Sequence, residues 1–309
     1  MMKQRIGSIL LALILIFYGC TNLVAQEKRK LIIDADTGNE VDDFYAVTRL
    51  LIDPSLEILA LNATQWQASH WAVERSMEES YRWNIKLIRA AQKESQVKFL
   101  RGAEERMFDW GYKAQHSQAT HHILQEAKKL DEEEKLDIMV LGALTNVASA
   151  VFIDPQIASR LRVYWLGTVY DFENDVFKKN DFNAVMDIQA VDVMLNSEVD
   201  MHIMPHSSAQ PLRFNLKEVE GAFGASGLAE LLIKRWKDHK GLGSENSTLW
   251  DLAIVAAYLM PEKFEPVSVK MSKENGNRTI KFYKPVNVEL IKKDFFQAFA
   301  LYEQSYGKH

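Results

Sequence analysis

Apolar and polar positions along the chain alternate between two rhythms. Short, mostly apolar runs at Lys30–Ile33, Leu56–Leu61, Asp137–Leu141, Val163–Gly167 and Met201–Met204 read as strands covered on both faces. Between them Phe44, Val47, Leu50 and Leu51 recur at helical spacing, Trp71 to Ala91 reads as a helix, and Leu144-Thr145-Asn146 turns into another. Strands alternating with helices predict an α/β fold with a mainly parallel central sheet flanked by helices. Two tracts break the rhythm. Gln115 to Leu136 is polar and helix-forming, with Asp131 to Glu134 as a solvated helix end. Near the C-terminus Val267, Val269 and Met271 alternate, Glu274-Asn275-Gly276-Asn277 supplies a turn, and Ile280 and Phe282 alternate again, which predicts an antiparallel hairpin added to the sheet. No repeat or linker interrupts residues 27–309, so they read as a single domain.

The first 26 residues change the picture. Lys3 and Arg5 precede an apolar run from Ile9 to Tyr18, too short to span a bilayer, which needs about 20 residues. The stretch reads as a leader, either a signal cleaved near Ala25 or a lipoprotein box, Tyr18-Gly19-Cys20, that places a lipid anchor on Cys20. Both versions send the protein out, as a periplasmic, secreted or lipid-anchored one. Cys20 is the sole cysteine, so residues 27–309 hold no disulfide, thiolate metal cluster or cysteine nucleophile. The 309 residues are 47% hydrophobic and 26% charged, enough for a full core, and the formal charge of -5 gives no case for a nucleic acid polymer as partner.

Chemistry concentrates after the first strand. Asp34, Asp36, Asp42 and Asp43 fall within ten residues between a strand and a helix, where function collects in parallel α/β sheets. Like charges so close repel one another unless a cation neutralises them, and an all-oxygen set suits Ca²⁺ better than Zn²⁺. Helix capping alone needs one or two acids, not four.

Ile33-Asp34-Ala35-Asp36-Thr37-Gly38 with Asp42-Asp43 resembles the acidic signature of the inosine-uridine preferring nucleoside hydrolase family. Three further segments are similar to that family in order: Leu141-Gly142-Ala143-Leu144-Thr145-Asn146; Asp181-Phe182-Asn183 with Asp187; and Trp250-Asp251 followed by Ala253, Ala256 and Ala257. The resemblance runs from about Lys30 to about Leu301. It implies the Rossmann-like fold of that family and hydrolysis of the N-glycosidic bond of ribonucleosides, with Ca²⁺ as cofactor, a small nucleoside as substrate and a homo-oligomer as the assembly. By resemblance Asp36 is the general base and a metal ligand, Asp43 and Asp251 chelate the metal, and Leu141 adds a backbone carbonyl. Asp42, Asp181, Asn183 and Asn174 would hold the ribose hydroxyls.

Three departures carry their own expectations. Asn39-Glu40-Val41 makes the acidic loop two residues longer than the short signature. Asp181 stands where the family has Glu. Trp250 stands where one branch has a proton-donating His, which resembles the purine-preferring branch, with Trp66 or Trp71 as the second ring around the base. His121, His122, His202 and His206 read as surface or packing residues, and Lys234 to Lys240 as a solvated helix face. Two other readings remain open. One is a nucleoside- or sugar-binding protein without turnover. The other is a haloacid-dehalogenase-like phosphohydrolase with Mg²⁺, in which Asp34 is the nucleophile, Asp36 the acid-base and Asp171 with Asp175 a later acidic pair.

Overall fold

A computed structural model describes residues 27–107, 113–131, 133–239 and 245–306. The leader-like stretch, with Cys20, and Glu132 of the acidic run lie outside them. The strands are β1 (Arg29–Ala35), β2 (Leu56–Ala63), β3 (Lys98–Leu100), β4 (Leu136–Val140), β5 (Leu161–Leu166), β6 (Val169–Asp171), β7 (Val176–Lys178), β8 (Asp200–Met204), β9 (Arg213–Asn215), β10 (Asn246–Thr248), β11 (Val267–Lys270) and β12 (Thr279–Phe282). The helices are α1 (Asp42–Leu51), α2 (Ser76–Ala90), α3 (Gln118–Ala127), α4 (Thr145–Ile153), α5 (Phe182–Met186), α6 (Ile188–Leu195), α7 (His206–Ala209), α8 (Leu216–Ala222), α9 (Gly227–Asp238), α10 (Asp251–Leu259) and α11 (Val288–Tyr306).

Eight strands form one sheet in the order β11-β12-β8-β5-β4-β1-β2-β3. All neighbours pair in parallel except β11 with β12, the antiparallel hairpin expected from the alternation around Gly276. Because helices cover both faces, the inner strands are largely apolar: Leu31 and Ile33 of β1 face one core and Ile32 the other, all fully buried. From β1 the chain proceeds to β2 and β3 on one side, then crosses back to β4 and builds outward through β5, β8 and β12 on the other. That reversal leaves a crevice at the carboxyl ends of β1 and β4, where α/β sheets bind ligands.

Local chemistry moves several boundaries. α2 starts at Ser76, not at Trp71: Trp66 N–H donates to Ser76 Oγ at 3.0 Å, and residues 66–72 fold into turns closed by Ser69 N to Trp66 O and Ala72 N to Ser69 O. α3 is shorter than the polar tract, capped by Ser117, whose Oγ accepts from Thr120 N at 3.1 Å, and ended well before β4. The two ribbons β6/β7 and β9/β10, each of three-residue strands, have no apolar run long enough to announce them.

α11 crosses back over α1 and α10. Its Phe295 is fully buried among Tyr45, Phe214 and Phe299, with ring centroids 5.7, 6.1 and 6.1 Å away. Phe295→Ala is expected to lower the unfolding free energy in urea by about 3–5 kcal/mol; a loss below about 1 kcal/mol would mean α11 is not part of the core that α1 rests on.

Candidate active site

Both strands beside the crevice end in functional residues. β1 hands over to Asp36, and β4 to Leu141 and Gly142. Asp42 and Asp43 open α1 and Asp251 opens α10, so these carboxylates occupy first helical turns, where the helix dipole favours negative charge. α1 packs against α10, and oxygens of Asp42, Asp43 and Asp251 therefore come within 4.8 Å of one another. Asp36 joins them, its N–H donating to Asp43 Oδ1 at 3.1 Å while Asn39 Nδ2 donates to Asp36 Oδ2 at 3.4 Å. Only glycine fits at Gly142, since a Cβ there would stand 2.9 Å from Asp36 Oδ1 and 2.4 Å from Thr64 Oγ1.

These acids border a cavity of about 170 Å³ that Glu40, Leu141, Asp181, Phe182, Asn183, His206 and Trp250 help to line, with no Lys or Arg among the described lining residues. A larger groove of about 1050 Å³ runs past Leu51, Leu56, Ala91 and Leu301 at the amino ends of the strands, and among the described residues no set of acids converges there.

Burial and mutual repulsion set the electrostatics. Burial, then Glu40 nearby, pushes Asp36 up to about 7. Burial also raises Asp42, Asp43 and Asp251 well above the carboxylate range, reinforced by Glu40, Asp36 and Asp42 respectively. Charges packed this way demand a counter-cation. Asp251 Oδ1 is buried without a hydrogen-bond partner, an open position for a ligand bond. The donors are all oxygen, which fits a hard divalent ion. Leu141 O already accepts from Asn183 Nδ2 at 2.9 Å and keeps a second lone pair.

On the sugar side, Asp181 caps α5, accepting from Thr168 N at 2.7 Å and Ala184 N at 3.0 Å. Burial pushes it up to about 6. Asn183 spends its NH₂ on Leu141 O and on Leu166 O at 3.0 Å. Three rings, Phe182, His206 and Trp250, line the cavity. His206 stacks on Trp250 at 4.1 Å and 24°, and Trp71 stacks on Phe182 at 5.5 Å and 16°, its indole N–H donating to Asn39 Oδ1 at 2.9 Å.

Two expected residues are not brought to the cavity. Asn174 lies in the exposed β6–β7 turn, where its Nδ2 and N–H donate to Asp171 at 2.8 and 3.1 Å. Trp66 is buried against Ala143 and Met186 as apolar filling and does not line the cavity. Asp34 is fully buried, accepts from Asn62 Nδ2 at 2.6 Å and does not line the cavity, so the phosphohydrolase reading has no accessible nucleophile. Five lining residues had no part in the expected site: Asn39, Glu40, Leu166, Phe182 and His206, the last read as a surface or packing residue and found instead in the cavity wall. His206 follows β8 at its carboxyl end, and that position was the available signal.

The folded chain free of divalent ions holds protons on carboxylates that titrate near 3.8 when unfolded, so the folded state binds more protons and stability falls as pH rises through that window. Asp34, raised by burial to about 6, and Asp36, at about 7, titrate within it, and Asp42, Asp43 and Asp251 are raised too. In EDTA the melting temperature is expected to be lower at pH 8 than at pH 6, and excess divalent ion to restore it at pH 8; a melting temperature in EDTA that climbs across this interval would contradict the site electrostatics.

Comparison with known proteins agrees with this geometry. The family model described as inosine-uridine preferring nucleoside hydrolase matches residues 31–294. A curated relative from Oryza sativa subsp. japonica, named probable uridine nucleosidase 1, is 26% identical over 194 residues, and the match spans only 57% of this chain and 57% of that protein. A solved plant nucleoside hydrolase superposes with a TM-score of 0.66 at 18% identity, covering 88% of this chain and 98% of its own. A purine-preferring ribonucleoside hydrolase from Gardnerella vaginalis gives 0.65 at 18%, covering 89% and 99%. At such identities the likeness speaks for the fold, and the family model, which takes in every one of the converging acids, carries the assignment: the chain belongs to the inosine-uridine preferring nucleoside hydrolase family.

Proposed function

We propose that this protein hydrolyses the N-glycosidic bond of ribonucleosides, purine nucleosides before pyrimidine ones, with Ca²⁺ bound among Asp36, Asp43, Asp251 and the Leu141 carbonyl. The observation that carries this reading is the convergence of Asp42, Asp43 and Asp251, with Asp36 bonded to Asp43, at the sheet's reversal point. When bound, the ion supplies the positive charge that keeps these carboxylates ionised and polarises the attacking water.

The chain's own groups then divide the work. Asp36 takes a proton from water as the water oxygen bonds to the anomeric carbon, and the C1′–N bond breaks with its electron pair leaving on the base, which takes up a proton from solvent while Asp36 later returns its own to solvent. Asp42 accepts from one ribose hydroxyl. Asp181 and the Oδ1 of Asn183 accept from others, because the Asn183 NH₂ is committed to Leu141 and Leu166. Asp181 is shorter than Glu, but its capping bonds hold it rigid at the cavity edge.

Purine preference rests on the aromatic rings of the cavity lining. The names of the relatives divide between purine and uridine, so the choice depends on this chain's own rings. Trp250 and His206, stacked on one another, and Phe182, on which Trp71 stacks from outside the lining, offer aromatic surface to a bicyclic base, and stacking is worth about 1–3 kcal/mol.

Incubation with inosine, adenosine, guanosine or uridine in calcium is expected to release reducing sugar; tight binding without release would instead establish the non-catalytic alternative. Asp36→Asn should cut kcat by about 10²–10⁴-fold while leaving nucleoside binding measurable. Trp250→Ala is expected to lower kcat/KM for inosine by about 1–3 kcal/mol more than for uridine, and equal losses would dismiss the stacking role.

A further inference from the structure

We propose that Arg235, on α9, is a positioning residue that shapes the acidic loop into a metal-holding conformation. The proposal rests on the metal-assisted hydrolase reading above. Arg235 is only 9% exposed and makes no ion pair with a carboxylate among the described residues. Its Nη2 instead faces four successive backbone carbonyls of the acidic loop: Thr37 at 3.5 Å, Gly38 at 3.3 Å, Asn39 at 3.2 Å and Glu40 at 3.4 Å. One nitrogen with two hydrogens cannot form four well-aligned bonds. The arrangement is a cup of carbonyl dipoles closed around a cation.

The cup sits where the sequence departs from the short family signature. The added residues of Asn39-Glu40-Val41 lengthen the loop between Asp36 and Asp43, and a longer loop needs something to fix its path. With its carbonyls drawn toward α9, the loop turns the side chains of Asp36, Asn39 and Glu40 to the cavity. The guanidinium is held in turn by Phe44 and Trp83, whose ring centroids lie 5.3 and 5.0 Å from it, and its Nε is buried without a partner. An orphaned donor is a cost, so the site keeps this arginine for what Nη2 does. Lysine, a point charge without the planar fork, would not stack on both rings while reaching all four carbonyls. Groups that support a metal's ligands from behind matter to its affinity by about 10–100-fold.

Arg235→Met and Arg235→Lys test this, with calcium affinity measured calorimetrically and kcat and KM measured on inosine, well below the melting temperature of each variant. Arg235→Met is expected to bind calcium about 10–100-fold more weakly and to lose kcat more than KM, with millimolar guanidinium restoring affinity and methylammonium not. Arg235→Lys should show a smaller loss of the same kind, which keeps the test informative if the Met variant does not fold. Wild-type calcium affinity in a folded variant overturns the proposal, as does a drop in melting temperature with affinity unchanged. If the wild-type chain binds calcium but releases no sugar, the hydrolase reading fails, and the affinity comparison still decides the role of Arg235.

Discussion

Carboxylates held close together away from water impose the constraint that organises this molecule. Asp36, Asp42, Asp43 and Asp251 are each almost wholly buried, and Glu40 stands beside them. Left ionised and uncompensated, such a cluster is among the most costly arrangements a fold can contain. The protein tempers that cost by placing Asp42, Asp43 and Asp251 at helix amino ends and by raising their proton affinity. Neither device cancels the repulsion, and the remaining deficit of positive charge is what makes a divalent ion the natural complement.

The fold supplies the convergence. Parallel pairing of β1 with β4 sets Asp36 beside Leu141, and the packing of α1 on α10 sets Asp43 beside Asp251. The aromatic α11 crosses behind α1 and fixes the helix that carries two of the acids. The helices α1 and α10 therefore hold Asp42, Asp43 and Asp251 and the loop that follows β1 carries Asp36, while the sugar side is built from loops and the short α5.

Much of this was legible from the residues. The apolar runs marked the five longer strands, and the Asp-rich turn after the first of them marked the site, because buried parallel strands need unbroken apolar sequence and their carboxyl ends are where polar groups can gather. The short ribbons and β3 escaped because three residues establish no periodicity. Trp66 and Trp71 read alike as rings after a strand, yet across the turns closed by Ser69 and Ala72 one is buried and the other exposed, and neither lines the cavity. Arg235 stood in a lysine-rich stretch that reads as a solvated face. Its burial follows from tertiary packing of α9 against α2, which no local pattern encodes.

The most direct measurement is calorimetric titration of Ca²⁺ into the metal-free protein near pH 7, repeated in buffers of different ionisation enthalpy to count protons. The account predicts one ion bound per chain with release of protons from the crowded carboxylates, and loss of both in Asp251→Asn. Binding without proton release, or an Asp251→Asn variant that takes up calcium as the native chain does, would contradict it.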